Sequence, residues 1–318
     1  MRVLRAVLVL FILCIGAGTA QAQFPNKPIR LVVPFPPGGS ADVIARVLGQ
    51  AMSQGLGQTI IVENKAGADG MIAGEAVMKA PPDGYTLMLA TNTAFNAAPI
   101  MHKVVPYDPL VDFTPVGTVG IFGFFVFVND GVPARTLAQL FDYARANPGK
   151  LSYGSGNSTS ILSTAKLAQA ARLDMVHVPY RGDAPMTTDL LAGRVQFAIA
   201  TGTLLPHARD GKLRILATLL PTRASLLPEV PTLVEAGAAA MPFTPWAGLF
   251  GPARMPRPVV ERLARELNRA LAQPEVREQF GKLAFEVQSS TPEELSDMVR
   301  DQLAVWRKAG KEAGLAAE

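Results

Sequence analysis

Strand-like and helix-like segments alternate through almost the whole chain, and this alternation restricts the fold more than any other feature. Near the N-terminus, Ile29–Phe35 predicts a strand, Asp42–Gln54 a helix and Thr59–Glu63 a second strand. Helix Met71–Lys79 and strand Tyr85–Ala90 continue the series. Helices that connect consecutive strands favour parallel sheets, so the sequence predicts an α/β protein.

A second series of the same kind follows. The apolar run Ile121–Val128 (IFGFFVFV) predicts a buried strand, because it is rich in β-forming residues and too short to cross a bilayer. The predicted elements of this series are strand Phe124–Val128, helix Leu137–Asn147, strand Leu151–Tyr153, helix Ile161–Ala171, strand Met175–Val178, helix Pro185–Ala192 and strands Val195–Ala200 and Arg214–Thr218. We interpret it as a second domain.

Three further elements are predicted near the C-terminus. Strand Ala247–Phe250 is followed by an amphipathic helix at Pro258–Ala272 and a last helix at Pro292–Ala313. Thr291 is the N-cap candidate of the last helix, with Glu294 three residues on, which is the spacing of a capping box. Periodicity leaves open which of the two series these elements pack against.

The first 22 residues are typical of a cleaved secretory leader. Two arginines precede the apolar run Ala6–Ile15, and small residues end in Ala20-Gln21-Ala22. The run is shorter than the ~20 residues of a membrane span, which disfavours an anchor. The single cysteine, Cys14, follows Leu13 where a lipoprotein signal needs a small residue. We predict a signal peptide at 1–22 and an exported chain without cysteine, hence without disulfides or thiol catalysis.

The charge balance disfavours nucleic acid as a partner. The chain carries 30 Lys and Arg against 26 Asp and Glu, and the small basic excess is spread along the sequence instead of forming a patch. Three scattered histidines lack the spacing of metal ligands, so we predict neither a metal site nor a cofactor.

Two loops, each between a predicted strand and a predicted helix, offer neutral hydrogen-bond donors. In Pro36–Asp42 (PPGGSAD), two glycines leave backbone N–H groups open and Ser40 is an N-cap candidate, which suits an anion at a helix N-terminus. A turn whose glycines serve only backbone geometry is an equal alternative, and the spacing is not that of a nucleotide-binding motif. Tyr153–Ser160 is rich in hydroxyls. In α/β sheets such loops lie at the carboxyl ends of strands, where ligands bind.

The second loop also approaches the nucleophile motif of a serine hydrolase. Ser158 would be the nucleophile of the G-x-S-x-G pattern, but Ser160 stands in place of the last glycine. A triad needs a histidine base, and His177 lies in an apolar strand while His102 and His207 fall in surface segments. An exported hydrolase is therefore disfavoured.

Several short segments occur in an order and spacing that is specific as a whole. They are Pro28–Phe35 with Gly38-Gly39-Ser40 and Asp42, Pro82–Leu87, Asn147–Ser155, Val176–Gly182, Asp189–Gly193, Gly211–Arg214 and Val230–Thr232. On these segments the chain resembles the periplasmic substrate-binding receptors of tripartite tricarboxylate transporters, also called Bug proteins. The resemblance implies a two-lobed type II periplasmic-binding-protein fold with the ligand cleft between the lobes. Residues 23–123 and 247–318 would form lobe 1, and residues 124–246 lobe 2.

The resemblance also implies a function. It predicts a non-enzymatic solute-binding receptor of the periplasm that captures a small carboxylate by domain closure and delivers it to the membrane permease subunits of a tripartite transporter. Nothing in the sequence suggests an obligate interface, so we expect a monomer. A receptor that feeds a membrane signalling partner is the alternative. The ligand-binding residues carried over are Phe35, Gly38, Gly39, Ser40, Asp42, Thr91, Asn92, Thr93, Ser155, Asn157, Ser158, Thr159, Tyr180, Gly182 and Asp183.

Two positions depart from the family pattern. Ile161-Leu162 stands where a histidine is common early in the helix, and Thr201-Gly202 stands where an aspartate often follows the strand Val195–Ala200. An acid lost from the cleft would weaken recognition of an ammonium group. We therefore predict a simple or aromatic carboxylate as the ligand instead of an amino acid.

Overall fold

The structure is a computed structural model that describes residues 24–317, so the predicted signal peptide at 1–22 lies outside the described residues. The strands in chain order are β1 (Ile29–Val33), β2 (Ile60–Asn64), β3 (Thr86–Thr91), β4 (Phe113–Phe122), β5 (Phe124–Asn129), β6 (Ser152–Ser155), β7 (Val176–Pro179), β8 (Phe197–Thr201), β9 (Leu213–Thr218), β10 (Trp246–Pro252) and β11 (Phe285–Val287).

The helices cover both sheets that these strands form. In chain order they are α1 (Ser40–Leu56), α2 (Met71–Met78), α3 (Ala98–Met101), α4 (Leu137–Ala146), α5 (Ser158–Ala171), α6 (Asp183–Leu191), α7 (Leu205–Arg209), α8 (Arg257–Leu271), α9 (Pro274–Gly281) and α10 (Pro292–Glu312). A π-helix at Thr93–Ala97 precedes α3, and short 3₁₀ turns lie at Ala68–Gly70 and Gly202–Leu204.

The strands form two mixed sheets. The first has the order β11-β4-β10-β3-β1-β2 and the second the order β7-β6-β8-β5-β9. The βαβ units are parallel as predicted, since β1 pairs with β2 and β3, and β6 with β7 and β8. Antiparallel strands β10 and β5 complete the sheets, a feature that the alternation alone did not predict.

The prediction of one buried strand over Ile121–Val128 was wrong. The run is divided at Gly123 between β4 of the first sheet and β5 of the second. The Gly123 amide donates to Ala284 O over 3.0 Å, and a Cβ at this position would lie 2.4 Å from that oxygen. The apolar pattern continues across the break because both strands are buried, so hydrophobicity alone does not reveal it.

The C-terminal elements belong to the first sheet. Strand β10 lies between β3 and β4, and helix α8 packs against α1. The last helix begins as predicted: Thr291 Oγ1 accepts from the Glu294 amide, and the Glu294 side chain accepts from the Thr291 amide.

Buried aromatic side chains join the C-terminal elements to the π-helix. Phe95 is fully buried, with its ring centroid 4.7 Å from that of Phe113 and 4.9 Å from that of Phe250. The indole of Trp246 donates to Asn96 Oδ1, whose amide in turn donates to Val299 O on α10. Burial of each such ring contributes roughly 1.5–3 kcal/mol, so the polypeptide around β3 is held firmly.

The two sheets also meet through helices. Leu162 of α5 joins a buried cluster with Phe243 and Trp306, and Lys166 of the same helix pairs with Glu312 at the end of α10. These contacts hold the start of α5 against the part of the molecule that contains the first sheet. Among the helices of residues 24–317, none is long and apolar enough to cross a membrane.

Candidate functional site

A cavity lies between the two sheets. Its lining comes from the loops that follow β1, β3, β6, β7 and β8, together with the β4–β5 junction. The lining residues are Phe35, Pro36, Pro37, Gly39, Ser40, Ala41, Thr91, Asn92, Thr93, Phe122, Phe124, Asn157, Thr159, Gly182, Asp183, Ala184 and Thr201. Both loops singled out in the sequence therefore reach one cavity.

The first loop presents the N-terminus of α1. Gly39 is the N-cap, so the prediction of Ser40 as the cap was wrong. The Ser40 hydroxyl instead donates to Thr201 Oγ1 over 2.8 Å, which links α1 to the second sheet. The amides of residues 42 and 43 bond to Gly39 O, whereas no hydrogen bond among the described residues uses the amides of Ser40 and Ala41. Two donors of this helix end are thus available to a ligand.

The second loop presents the N-terminus of α5 in the same way. Asn157 caps the helix, with its Oδ1 atom accepting from the Ser160 amide over 3.0 Å, and its carbonyl accepts from Ile161 N. The helix begins at Ser158, three residues earlier than predicted, because the cap lies in the polar segment. Within the described chain, the Ser158 and Thr159 amides have no hydrogen-bond acceptor.

Direct hydrogen bonds connect the loops across the cavity. Asn92 Nδ2, after β3, donates to Thr159 Oγ1 over 2.7 Å, and the Thr93 hydroxyl lies 3.4 Å from the same atom. Thr91 Oγ1 is buried and has no hydrogen-bond partner among the residues described. The cavity wall therefore consists mainly of neutral donors and apolar side chains.

Asp183, the first residue of α6, is the one ionisable side chain among the described residues that line the cavity. Its Oδ2 atom accepts from the Thr201 hydroxyl over 3.0 Å and its Oδ1 atom from Asn157 Nδ2 over 3.2 Å. Burial raises the pKa of Asp183, and the hydrogen bonds from Thr201 and Asn157 offset this effect only in part.

Ten of the fifteen predicted site residues line the cavity, and the other five lie beside it. Gly38 donates its amide to Asp42 Oδ2 over 3.0 Å, and Asp42 also accepts from Arg46 and Asn64. Although burial would raise the pKa of Asp42, these hydrogen bonds outweigh it and the pKa is lowered. Asp42 therefore has a structural role: its hydrogen bonds fix the conformation of the first loop.

The remaining three lie at the end of β6, at the start of α5 and directly after β7. Ser155 Oγ lies 2.6 Å from His177 Nε2, and Tyr180 donates its hydroxyl to Asp189 from a groove next to the cavity. Ser158 is fully buried, with no hydrogen-bond partner for its hydroxyl among the described residues. These residues support the loops from behind the cavity wall.

Sequence reasoning missed seven lining residues: Pro36, Pro37, Ala41, Phe122, Phe124, Ala184 and Thr201. Four of them directly adjoin predicted site residues along the chain, so including the whole loops would have found Pro36, Pro37, Ala41 and Ala184. Phe122 and Phe124 belong to an apolar run that reads as core. Thr201 was noted only because it stands where the family often has an aspartate. In the structure a carboxylate still lies at this position, because Asp183 at the start of α6 accepts from the Thr201 hydroxyl.

The arrangement of the histidines bears on the hydrolase alternative. His177 stacks on Tyr153 and contacts Ser155, and burial lowers the pKa of its imidazole. No hydrogen bond among the described residues joins His177 to Ser158 or to a carboxylate. Residues 24–317 also contain no group of three or more His, Cys, Asp or Glu that could hold a metal ion.

Comparison with known proteins identifies similar proteins of known family and fold. BugT of Bordetella pertussis is 33% identical over 98% of this chain and 97% of its own length. A structure of an R. palustris protein solved with adipate has a TM-score of 0.89, with 31% identity, and covers 92% of this chain and 99% of that one.

A second solved structure, MatC from Rhodopseudomonas palustris with bound malate, has a TM-score of 0.83 and 30% identity over 90% of this chain and 99% of that one. These likenesses confirm the predicted α/β fold of periplasmic binding proteins. The profile of the "Tripartite tricarboxylate transporter family receptor" matches residues 44–315. The chain belongs to this family of transporter receptors.

Proposed function

We propose that this receptor captures a small carboxylate in the cavity between its two sheets. The observation that carries the proposal is that two helix N-termini, one beside each sheet, face a single cavity with unused backbone amides. Such helix ends favour an anion through their N–H groups and their partial positive charge. The relatives solved with adipate and malate are consistent with this ligand class.

The ligand-binding residues we propose are the predicted set, with the lining residues as the first contacts. Asn92, Thr93 and Thr159 would donate from side chains, and Ser40 and Ala41 from the helix backbone. The rings of Phe35, Phe122 and Phe124 offer apolar surface to the remainder of the ligand. This composition favours a carboxylate with an apolar or aromatic body.

Domain closure is the proposed mechanism. Each sheet would be the centre of one lobe, with residues 23–123 and 247–318 in lobe 1 and 124–246 in lobe 2. The chain passes between the sheets at Gly123 and again between β9 and β10, and these two connections would be the hinge. A ligand that contacts both helix ends shifts the equilibrium towards the closed form.

The closed form would present a surface to the permease subunits of a tripartite transporter, from a monomeric receptor in the periplasm. No covalent chemistry is needed for this role. The family membership favours transport over a sensing role that feeds a membrane signalling partner. Co-purification with a permease, as opposed to a histidine kinase, distinguishes the two.

The test is thermal unfolding of the mature protein after denaturation and refolding to remove bound ligand. The panel contains benzoate, adipate, malate, citrate, aspartate and glutamate. A carboxylate present at 100 times its Kd should stabilise the folded protein by about 2.7 kcal/mol and raise the Tm accordingly. If no member of the panel raises the Tm, the proposal is contradicted.

Asn92→Asp tests where the ligand lies. The substitution preserves shape but replaces a donor in the cavity with a negative charge, so the shift should disappear. Asn268→Asp makes the same change on the exposed face of α8 and should leave the shift unchanged. Equal shifts in both variants would place the carboxylate elsewhere.

A further inference from the structure

Three polar groups form a hydrogen-bonded chain from one side of the cavity to the other. Ser40 Oγ lies 2.8 Å from Thr201 Oγ1, which lies 3.0 Å from Asp183 Oδ2. Ser40 stands at the N-terminus of α1, whereas Thr201 and Asp183 belong to β8 and α6 of the other sheet. Each of the three lines the cavity, so a ligand meets the chain directly.

The charge on Asp183 determines which group is the donor in each hydrogen bond of this series. A carboxylate only accepts hydrogen bonds, so the Thr201 hydroxyl donates its one hydrogen bond to Asp183 and accepts a hydrogen bond from Ser40. The Ser40 proton then points to Thr201 and cannot be donated to a ligand. Thr203 Oγ1, 3.0 Å from the Thr201 hydroxyl, can donate to it in either state.

The cap of α5 determines which oxygen of Asp183 can carry a proton. Asn157 Oδ1 is held by the Ser160 amide and hydroxyl, which turns Nδ2 towards Asp183 Oδ1. Rotating this amide would break the helix cap, so Oδ1 keeps facing a donor. A proton on Asp183 therefore resides on Oδ2, facing Thr201.

We propose that the receptor takes up its carboxylate ligand together with a proton from solvent, and that the proton is held on Asp183 Oδ2. The inference rests on the proposed function of the cavity. In the bound state the chain runs in reverse: Asp183 donates to Thr201, Thr201 to Ser40, and Ser40 to the ligand carboxylate. The bond between α1 and β8 persists, and the ligand gains a donor.

Electrostatics favours the same outcome. A ligand carboxylate and an ionised Asp183 would be two like charges in one cavity whose described lining includes no Lys, Arg or His. Two carboxylates that share a site raise the pKa of one of them. Burial already raises the pKa of Asp183 before a ligand is present.

The other charged groups on the elements around Asp183 have partners of their own or lie outside the cavity. Arg181 lines the neighbouring groove, and His177 on β7 contacts Ser155. On α1, α5 and α6 the ion pairs are Asp42 with Arg46, Lys166 with Glu312, and Asp189 with Arg194. None of these residues lines the cavity, so Asp183 is the group left to accept the proton.

Calorimetric titration tests the proposal. Benzoate, adipate and malate are titrated at pH 7 in two buffers of different ionisation enthalpy, which gives the number of protons bound with the ligand. Wild type should take up as much as one proton, and its affinity should fall by up to about tenfold per pH unit above the pKa of free Asp183. Asp183→Asn, an isostere of the protonated acid, should bind at least as tightly with no proton uptake.

Two further variants separate the hydrogen-bonded chain from general charge effects. Asp142→Asn removes an exposed carboxylate on α4 and should leave the proton uptake unchanged. Thr201→Val keeps Asp183 but breaks the chain, so it should bind more weakly while still taking up a proton. Ligand binding to wild type without proton uptake, or weaker binding by Asp183→Asn, would overturn the proposal.

Unfolding of the ligand-free protein separates failure of this inference from failure of the proposed function. A raised folded-state pKa means that wild type loses stability as pH rises through that pKa. Asp183→Asn should therefore show a Tm advantage over wild type that increases from pH 4 to pH 8. If no probe binds either protein, the carboxylate proposal fails, and a Tm difference that does not grow with pH overturns the assignment of the proton to Asp183.

Discussion

Gly156 shows how tightly single residues define the cavity wall. A Cβ at this position would lie 2.3 Å from Asp183 Oδ1 and 2.6 Å from the Asp183 amide nitrogen. Part of the obstacle is backbone, so Gly156→Ala must push α6 away from the loop after β6. We expect a loss of about 1–3 kcal/mol of folding stability and a ligand affinity reduced at least tenfold.

Gly281→Ala is the control for this prediction. Nothing lies within 4 Å of its built Cβ at the end of α9, so alanine should be neutral or should stabilise by roughly 0.5–1 kcal/mol. Urea unfolding and calorimetry on both variants check the pair. Normal carboxylate binding by Gly156→Ala would show that the Asp183 position is not needed for the ligand.

The hydrogen-bond partners of single side chains in the first loop could not be predicted from the sequence. Ser40 and Asp42 were both identified in the first loop, but their partners lie far along the chain or on another strand. Ser40 donates to Thr201, and Asp42 accepts from Asn64. Local spacing suggests capping for either residue, whereas only the packed structure brings such distant groups together.

Elements with strong local signals were predicted well. The capping box of α10 depends on residues three positions apart, so the sequence contains all the information that it needs. Helix α9, the π-helix and strand β11 were missed because they are short and depend on the surrounding core. The apolar pattern missed the break at Gly123 because two buried strands of different sheets give one continuous apolar run, although the family resemblance put a lobe boundary at this residue.

The start of α10 gives the prediction at this scale. Thr291→Ala removes the oxygen that accepts from the Glu294 amide, and the folded protein should lose about 1 kcal/mol. Thr291→Ser keeps that oxygen and should retain most of the stability. Thermal unfolding of the two variants is the measurement, and equal Tm values for alanine and serine would contradict a role for the cap.

At the scale of the whole molecule, the hydrogen bonds across the cavity hold the two sheets in register. Thr159→Val removes the acceptor of Asn92 Nδ2 and leaves this buried donor unsatisfied, at a cost of about 1–3 kcal/mol. We expect a more open molecule without ligand, visible as a larger radius of gyration in small-angle X-ray scattering. Thr188→Val, an exposed change on α6, should scatter as wild type does, and an unchanged radius in Thr159→Val would contradict the prediction.

The general location of the cavity could be predicted from the sequence because parallel strands end at a common edge. The glycine-rich and hydroxyl-rich loops follow such strands, as do the predicted residues after β3 and β7, so ten of the predicted residues line one cavity. The contribution of Phe122 and Phe124 to the cavity lining could not be predicted in this way, because it depends on the break between β4 and β5. The lobe boundaries remain a prediction.

The position of β10 has a consequence for the order in which the protein can fold. All strands of the second sheet are available once residue 218 has been made, but β10 lies in the middle of the first sheet, between β3 and β4. Until residue 252 has emerged, the first sheet has a gap with two unpaired strand edges. The sheet whose strands are synthesised first is therefore the sheet completed last, so β1–β3 must wait for residues near the other end of the chain before they have all their partners.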